Sequence, residues 1–115
     1  MTIDFDSMDP VVIPNFKGGE KEISTQSYWD GTTRIMKAIL KPGASIGMHK
    51  HEGNCEIMFI LEGEGTIIDD GVASPIRKGQ STYCPEGHSH SLVNSGDSDL
   101  VFCCAVPTQP RSARD

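Results

Sequence analysis

The chain has 115 residues, of which 16 are acidic and 10 basic, giving a formal net charge of −6. One domain with its own core fits this length, and an acidic chain without a Lys/Arg cluster argues against a nucleic-acid partner, which needs a basic stripe. No apolar run approaches the ~20 residues of a membrane helix, and the acidic opening Met1–Pro10 lacks the basic-then-apolar layout of a signal peptide, so a cytoplasmic protein with no membrane partner is expected.

No long window repeats apolar residues at helical spacing. Short β-rich runs instead alternate with Gly, Pro, Asp and Asn, the pattern of an all-β sandwich or barrel. In chain order, residues 1–10 read as a loose arm. Val11–Phe16 is apolar but broken by Pro14, which confines it to an edge or a packed arm. Strands are predicted over Ile23–Trp29, Thr32–Leu40, Ala44–His51, Glu56–Leu61, Gly63–Ile68, Ser74–Arg77, Ser81–Cys84, His90–Asn94 and Leu100–Val106. The polar tail beyond Pro107 is expected to fray or lie on the surface. Residues 1–31 thus read as an N-terminal arm and edge strands, 32–106 as a barrel, and 107–115 as a tail.

Both faces of Glu56–Leu61 are apolar. With Met58 and Ile60 facing the barrel, Ile57, Phe59 and Leu61 face away. An outward apolar patch of this kind marks an interface, and the expectation is a homodimer. Cys55, Cys84, Cys103 and Cys104 show no CxxC spacing, so free thiols within strands are the default. Cys103 and Cys104 would point to opposite faces of one strand.

His49 and His51 are two apart, so on a strand their imidazoles share a face. His-x-His alone is weak evidence for a metal. Its surroundings are specific: Gly43, His49, His51, Glu56 and Gly63 are separated by five, one, four and six residues, and Gly79, Pro85, Gly87, His90 and Asn94 by five, one, two and three. These match the two signatures of the cupin family at every fixed position, and from Thr32 to Val106 the chain resembles a small single-domain cupin. The resemblance implies a double-stranded β-helix, or jelly-roll barrel, with His49, His51, Glu56 and His90 as inward ligands of one divalent metal: manganese, iron, nickel, copper, cobalt or zinc. Strand parity does not choose Glu56 over Cys55 as the inward residue, because the turn at 52–54 resets it.

Three imidazoles and a carboxylate suit first-row divalent metals. One carboxylate against a divalent ion leaves a formal charge of +1, which attracts an anionic or enolate ligand, and open coordination positions are what make such a site catalytic. The resemblance admits oxygen-dependent or decarboxylating chemistry, since quercetin dioxygenases and oxalate-degrading cupins use the same ligand set. It also admits redox-neutral isomerisation, epimerisation or elimination, which needs a separate acid or base. His88 and Tyr83 are the candidates for that role, with a solvated loop histidine and a core tyrosine as the plainer readings. A non-catalytic carrier of a metal or small ligand is the third possibility. Met36, Met48, Met58, Trp29 and Phe102 read as core first and pocket second, Arg34 and Arg77 as exposed charges, and Cys55 and Cys84 as small buried side chains.

Overall fold

The computed structural model describes residues 1–109. Ten strands form the fold: β1 (Val11–Pro14), β2 (Glu22–Trp29), β3 (Thr33–Leu40), β4 (Ser45–Lys50), β5 (Glu56–Glu62), β6 (Glu64–Asp69), β7 (Val72–Arg77), β8 (Ser81–Cys84), β9 (Ser89–Val93) and β10 (Leu100–Pro107). Every pairing is antiparallel. They make a six-stranded sheet in the order β1-β2-β3-β10-β5-β8 and a four-stranded sheet in the order β4-β9-β6-β7. The chain is therefore all-β, as its turn-punctuated strands predict, and a jelly roll, as the family resemblance implies. No helix among the described residues is long and apolar enough to cross a membrane.

Period-two alternation builds the core. On β3, Met36, Ala38 and Leu40 are buried, and on β10 Leu100, Phe102 and Cys104 are. The register sets Phe102 between Ala38 and Ile60, a large ring beside a small neighbour that makes room for it. Rows of this kind fill the space between the sheets with Ile23, Ile46, Met58, Ile67, Ile76 and Leu92.

Some details depart from the sequence reading and others agree with it. β7 begins at Val72 and runs through Pro75. It is the free edge of its sheet, where a missing N–H costs nothing. β1 pairs with β2 at the far edge of the large sheet, the edge position that Pro14 predicts for this run. Trp29 and Tyr83 are exposed, not core. The tail does not leave the surface at once: Thr108 N donates to the Thr32 carbonyl at 2.8 Å and Gln109 N to the Gly53 carbonyl at 2.8 Å. Residues 110–115 of the expected fraying tail lie outside the described residues.

On β5, Glu56, Met58 and Ile60 are buried, while Phe59 is 52% exposed and Leu61 39% exposed. Tyr83 pairs opposite Ile57 and extends this outward apolar face. Covering a phenylalanine contributes roughly 1.5–3 kcal/mol. If the expected homodimer pairs through this face, Phe59→Lys is expected to convert a dimer to a monomer in light scattering at micromolar concentration, and a monomeric wild type would count against the pairing.

Candidate metal centre

The cluster sits at one end of the space between the sheets, and an irregularity in β4 places half of it. Ile46 pairs with Leu92 and His49 with His90, so three steps along β4 match two along β9. That is a one-residue bulge at Gly47–Met48. It shifts parity. Ile46 faces the core at 2% exposure, yet Met48, two residues on, is 48% exposed. His49 and His51 turn inward instead, and His49 meets His90 directly across the ladder. Gly47 is required at the bulge: a Cβ there would lie 2.0 Å from the Lys17 carbonyl oxygen, because the segment before β2 crosses β4 in contact with it.

Glu56 opens β5 on the inward face at 7% exposure, and His90 on β9 is 1% exposed. The Glu56 Oε1 atom lies 2.9 Å from His90 Nε2, 3.2 Å from His51 Nε2 and 3.9 Å from His49 Nε2. The two Nε2 atoms of His51 and His90 are 3.0 Å apart. Centroids of the three rings are 4.8–4.9 Å apart with planes at 61–72°, so no ring stacks on another and all three surround one point.

Hydrogen bonds orient two of the rings. His49 Nδ1 donates to the Gly47 carbonyl at 2.8 Å, and His51 Nδ1 donates to Asn54 Oδ1 at 2.6 Å. Each neutral ring then carries its proton on Nδ1 and aims the Nε2 lone pair at the shared point. His90 Nδ1 is buried without a hydrogen-bond partner among the described residues. Lone pairs and a carboxylate converging in this way repel unless a proton or cation lies between them. The four ligand atoms lie within 4.8 Å of one another, so that shifts of a few tenths of an ångström bring all four to the ~2.0–2.2 Å ligand bonds of one ion. The residues fit a metal, and His49, His51, Glu56 and His90 are positioned to hold one.

Electrostatics agree. Burial pushes the Glu56 carboxyl up, but its contacts with His49, His51 and His90 outweigh that and hold it well below the usual carboxylate range. Burial likewise pushes His51 down, while its bonds to Glu56 and Asn54 carry it above the ordinary imidazole value. All four thiols are raised, chiefly by burial, Cys84 to about 11. Protonated thiols are poor ligands and nucleophiles.

The cluster opens on a cavity of about 460 Å³. His49, His51 and Glu56 form one wall, and Ser27, Arg34, Met36 and Val106 come from the large sheet. Ile13, Phe16 and Lys17 reach in from the segment around β1. Neither His88 nor Tyr83 lines it. His88 Nδ1 donates to Asp70 Oδ2 at 2.6 Å on the exterior, and the bond holds the Asp70 carboxyl below its ordinary range. Tyr83 lies on the outer face of the large sheet opposite Ile57. Arg77 is also elsewhere. Sequence reasoning missed Asn54, legible only as a turn residue, and Lys17, which no motif marks. Asn94, the last position of the second signature, is a loop staple: its Nδ2 donates to the carbonyls of Leu40 at 2.7 Å and Ser98 at 2.8 Å.

A family model for the cupin domain matches residues 36–106. The chain belongs to the cupin family. An oxalate-binding protein of Thermotoga maritima is 35% identical over 112 residues, covering 92% of this cupin and 93% of that protein. The crystal structure of a predicted oxalate decarboxylase from Thermotoga maritima superposes with a TM-score of 0.89 at 34% identity, covering 95% of this chain and all of that one. An RmlC-like cupin from Shewanella frigidimarina, at 16% identity, shares the fold with a TM-score of 0.77 over 96% of this chain and 92% of that one.

Replacing His49 and His51 together by Ala is expected to abolish stoichiometric divalent-metal binding, read by elemental analysis, while the β circular dichroism stays largely intact. Unchanged metal content would remove these residues from the ligand set. A pH dependence also follows from His51. Its raised pKa stabilises the metal-free fold below the ordinary imidazole value, and that contribution is lost as pH rises through the raised one. Chelator-treated protein is therefore expected to lose thermal stability across that window, and metal affinity to fall as pH drops back through it. A metal affinity independent of pH there would contradict the placement of His51.

Proposed function

We propose that this cupin holds one divalent transition metal on His49, His51, Glu56 and His90, and binds a small carboxylate anion such as oxalate in the adjoining cavity. On this reading it acts on the acid in the manner of a decarboxylase or dioxygenase. The observation that carries it is the convergence of three Nε2 atoms and one carboxylate at the wall of a cavity that also presents Lys17 and Arg34. Similarity over nearly full length to a protein named for oxalate binding supports the same class of ligand. Bound there, the metal supplies Lewis acidity toward a carboxylate or enolate and, for manganese or iron, one-electron chemistry.

The chain's own residues supply the rest. Neither Lys17 nor Arg34 has a carboxylate at ion-pair distance among the described residues. Both leave their charge available to an incoming anion. Met36, Phe16, Ile13 and Val106 give the cavity apolar walls that limit water around the bound acid. Lys17 extends from a backbone held at φ 56°, and its Nζ stands 5.5 Å over the Phe16 ring.

A second reading, a carrier that binds the acid without turnover, is favoured by a specific observation. Among the described residues the cavity's only carboxylate outside the cluster is Glu52, which pairs with Lys50 at 3.6 Å. The redox-neutral isomerase or lyase reading loses its acid/base candidates with the exterior placement of His88 and Tyr83.

Calorimetry with oxalate on metal-depleted and manganese-loaded protein, followed by assays for carbon dioxide, formate and oxygen uptake, separates these readings. Metal-dependent binding with turnover is expected. Binding without turnover would leave the carrier, and no binding in either state would sink the proposal. Lys17→Gln is expected to weaken oxalate about threefold to tenfold through the lost cation.

A further inference from the structure

We infer that Arg34 reads a second anionic group, so that the cavity takes an acid with a metal-chelating head and a distal carboxylate in preference to an acid with the head alone. This rests on the reading of the four-residue cluster as a metal site that binds carboxylates.

Arg34 lines the cavity with an exposed side chain, on the same face of β3 as the buried Met36 two residues on. Val106 pairs opposite it. On the other side of β10, Ala105 pairs with Ile57 and Cys55 N donates to the Pro107 carbonyl, which sets Glu56 beside Val106. Glu56, Val106 and Arg34 thus form one row across β5, β10 and β3, and all three line the cavity. Two strand spacings separate the backbones of Glu56 and Arg34, about 10 Å. A two-carbon dianion at the cluster leaves that distance unfilled, whereas a longer acid can place its head at the cluster and its tail toward Arg34.

The guanidinium is oriented in advance. Arg34 Nη1 donates to Ser27 Oγ at 2.8 Å, and Cζ stands 5.2 Å from the centroid of the Trp29 ring. An arginine solvated at the rim is the plainer alternative, but it needs neither the hydroxyl nor the indole. Of the five guanidinium donors, one is used by Ser27, and no carboxylate among the described residues pairs with the rest. The planar fork suits a bidentate carboxylate, which lysine does not reproduce. The surroundings add a sign. The chain is acidic overall, yet the two carboxylates of the cavity are committed, Glu56 to the imidazoles and Glu52 to Lys50. The charge of Arg34 is not neutralised from within.

A matched pair of ligands tests this. 2-Hydroxybutyrate and malate share a head and a chain length and differ by the distal carboxylate. By calorimetry on the manganese-loaded full chain, with oxalate as reference, malate is expected to bind about tenfold to a hundredfold more tightly than 2-hydroxybutyrate. Arg34→Gln is expected to erase that preference with manganese per chain unchanged, malate losing about tenfold to a hundredfold in affinity while 2-hydroxybutyrate and oxalate lose far less, and Arg34→Lys to keep part of it. Equal affinity of the two acids for wild type, or an equal loss by both acids in Arg34→Gln, overturns the role of Arg34 while oxalate binding stands. Failure of oxalate and of both acids to bind the loaded wild type overturns the metal–carboxylate reading itself, and this inference with it.

Discussion

The extra residue in β4 is the constraint on which the centre depends. Had the ladder from Ile46 continued without it, Met48 would face inward and His49 outward. The bulge reverses this, and its consequences are linked. It points His49 and His51 at Glu56 and His90. It leaves the Gly47 carbonyl where His49 Nδ1 can donate to it, which fixes the ring and its tautomer. It also falls where the chain before β2 lies against β4, close enough that only glycine fits at position 47. That crossing segment carries Lys17 into the cavity. Ligand direction, imidazole tautomer and a nearby cation therefore share one backbone irregularity.

Burying Glu56 sets the second condition. An ionised carboxylate removed from water costs several kcal/mol unless its partners compensate. Here the partners are three imidazoles, all within 3.9 Å of one oxygen. Their contacts keep the acid ionised in spite of burial. In the metal-free state a proton must stand where a cation would, because ring nitrogens 3.0 Å apart need one or the other between them. A metal held there would meet the same electrostatic demand, and protons would compete for it through His51.

Much of this was legible in sequence because it follows from period and spacing. Alternation gave the inward Met58 and Ile60 and the outward Phe59 and Leu61, and turn residues marked nearly all the strands. The two signatures brought together side chains 41 positions apart at most, from His49 to His90. What stayed hidden depends on contacts between segments. His49 and His51 share a face under any register, but which face is decided by a bulge that two-residue periodicity does not announce. Asn54 reads as a turn former until its Oδ1 is seen against His51. Lys17 sits in a glycine-flanked turn that resembles any surface loop, and Arg34 is the exposed charge the sequence predicts, but its row across the sheet to Glu56 is not visible there. Trp29 and Tyr83 erred in the other direction: Tyr83 lies on the outer face opposite Ile57, and Trp29 ends β2 beside Arg34, where it stays half exposed.

The chemistry can be narrowed by asking which side chains could move a proton inside the cavity. Isomerisation or elimination needs a base close to the substrate carbon. His88 is turned to Asp70 on the exterior, Tyr83 lies on the opposite face of the large sheet, and Glu56 is committed to three imidazoles. Glu52 remains, tied to Lys50 at the rim with a largely exposed side chain. The other polar groups on the walls, Ser27, Arg34 and Lys17, are suited to binding and orienting an anion. A cavity furnished with cations and with few proton carriers asks little of the protein beyond holding its ligand in place. That division of labour fits chemistry in which the bound metal does the electronic work, or a protein whose task is to hold the acid.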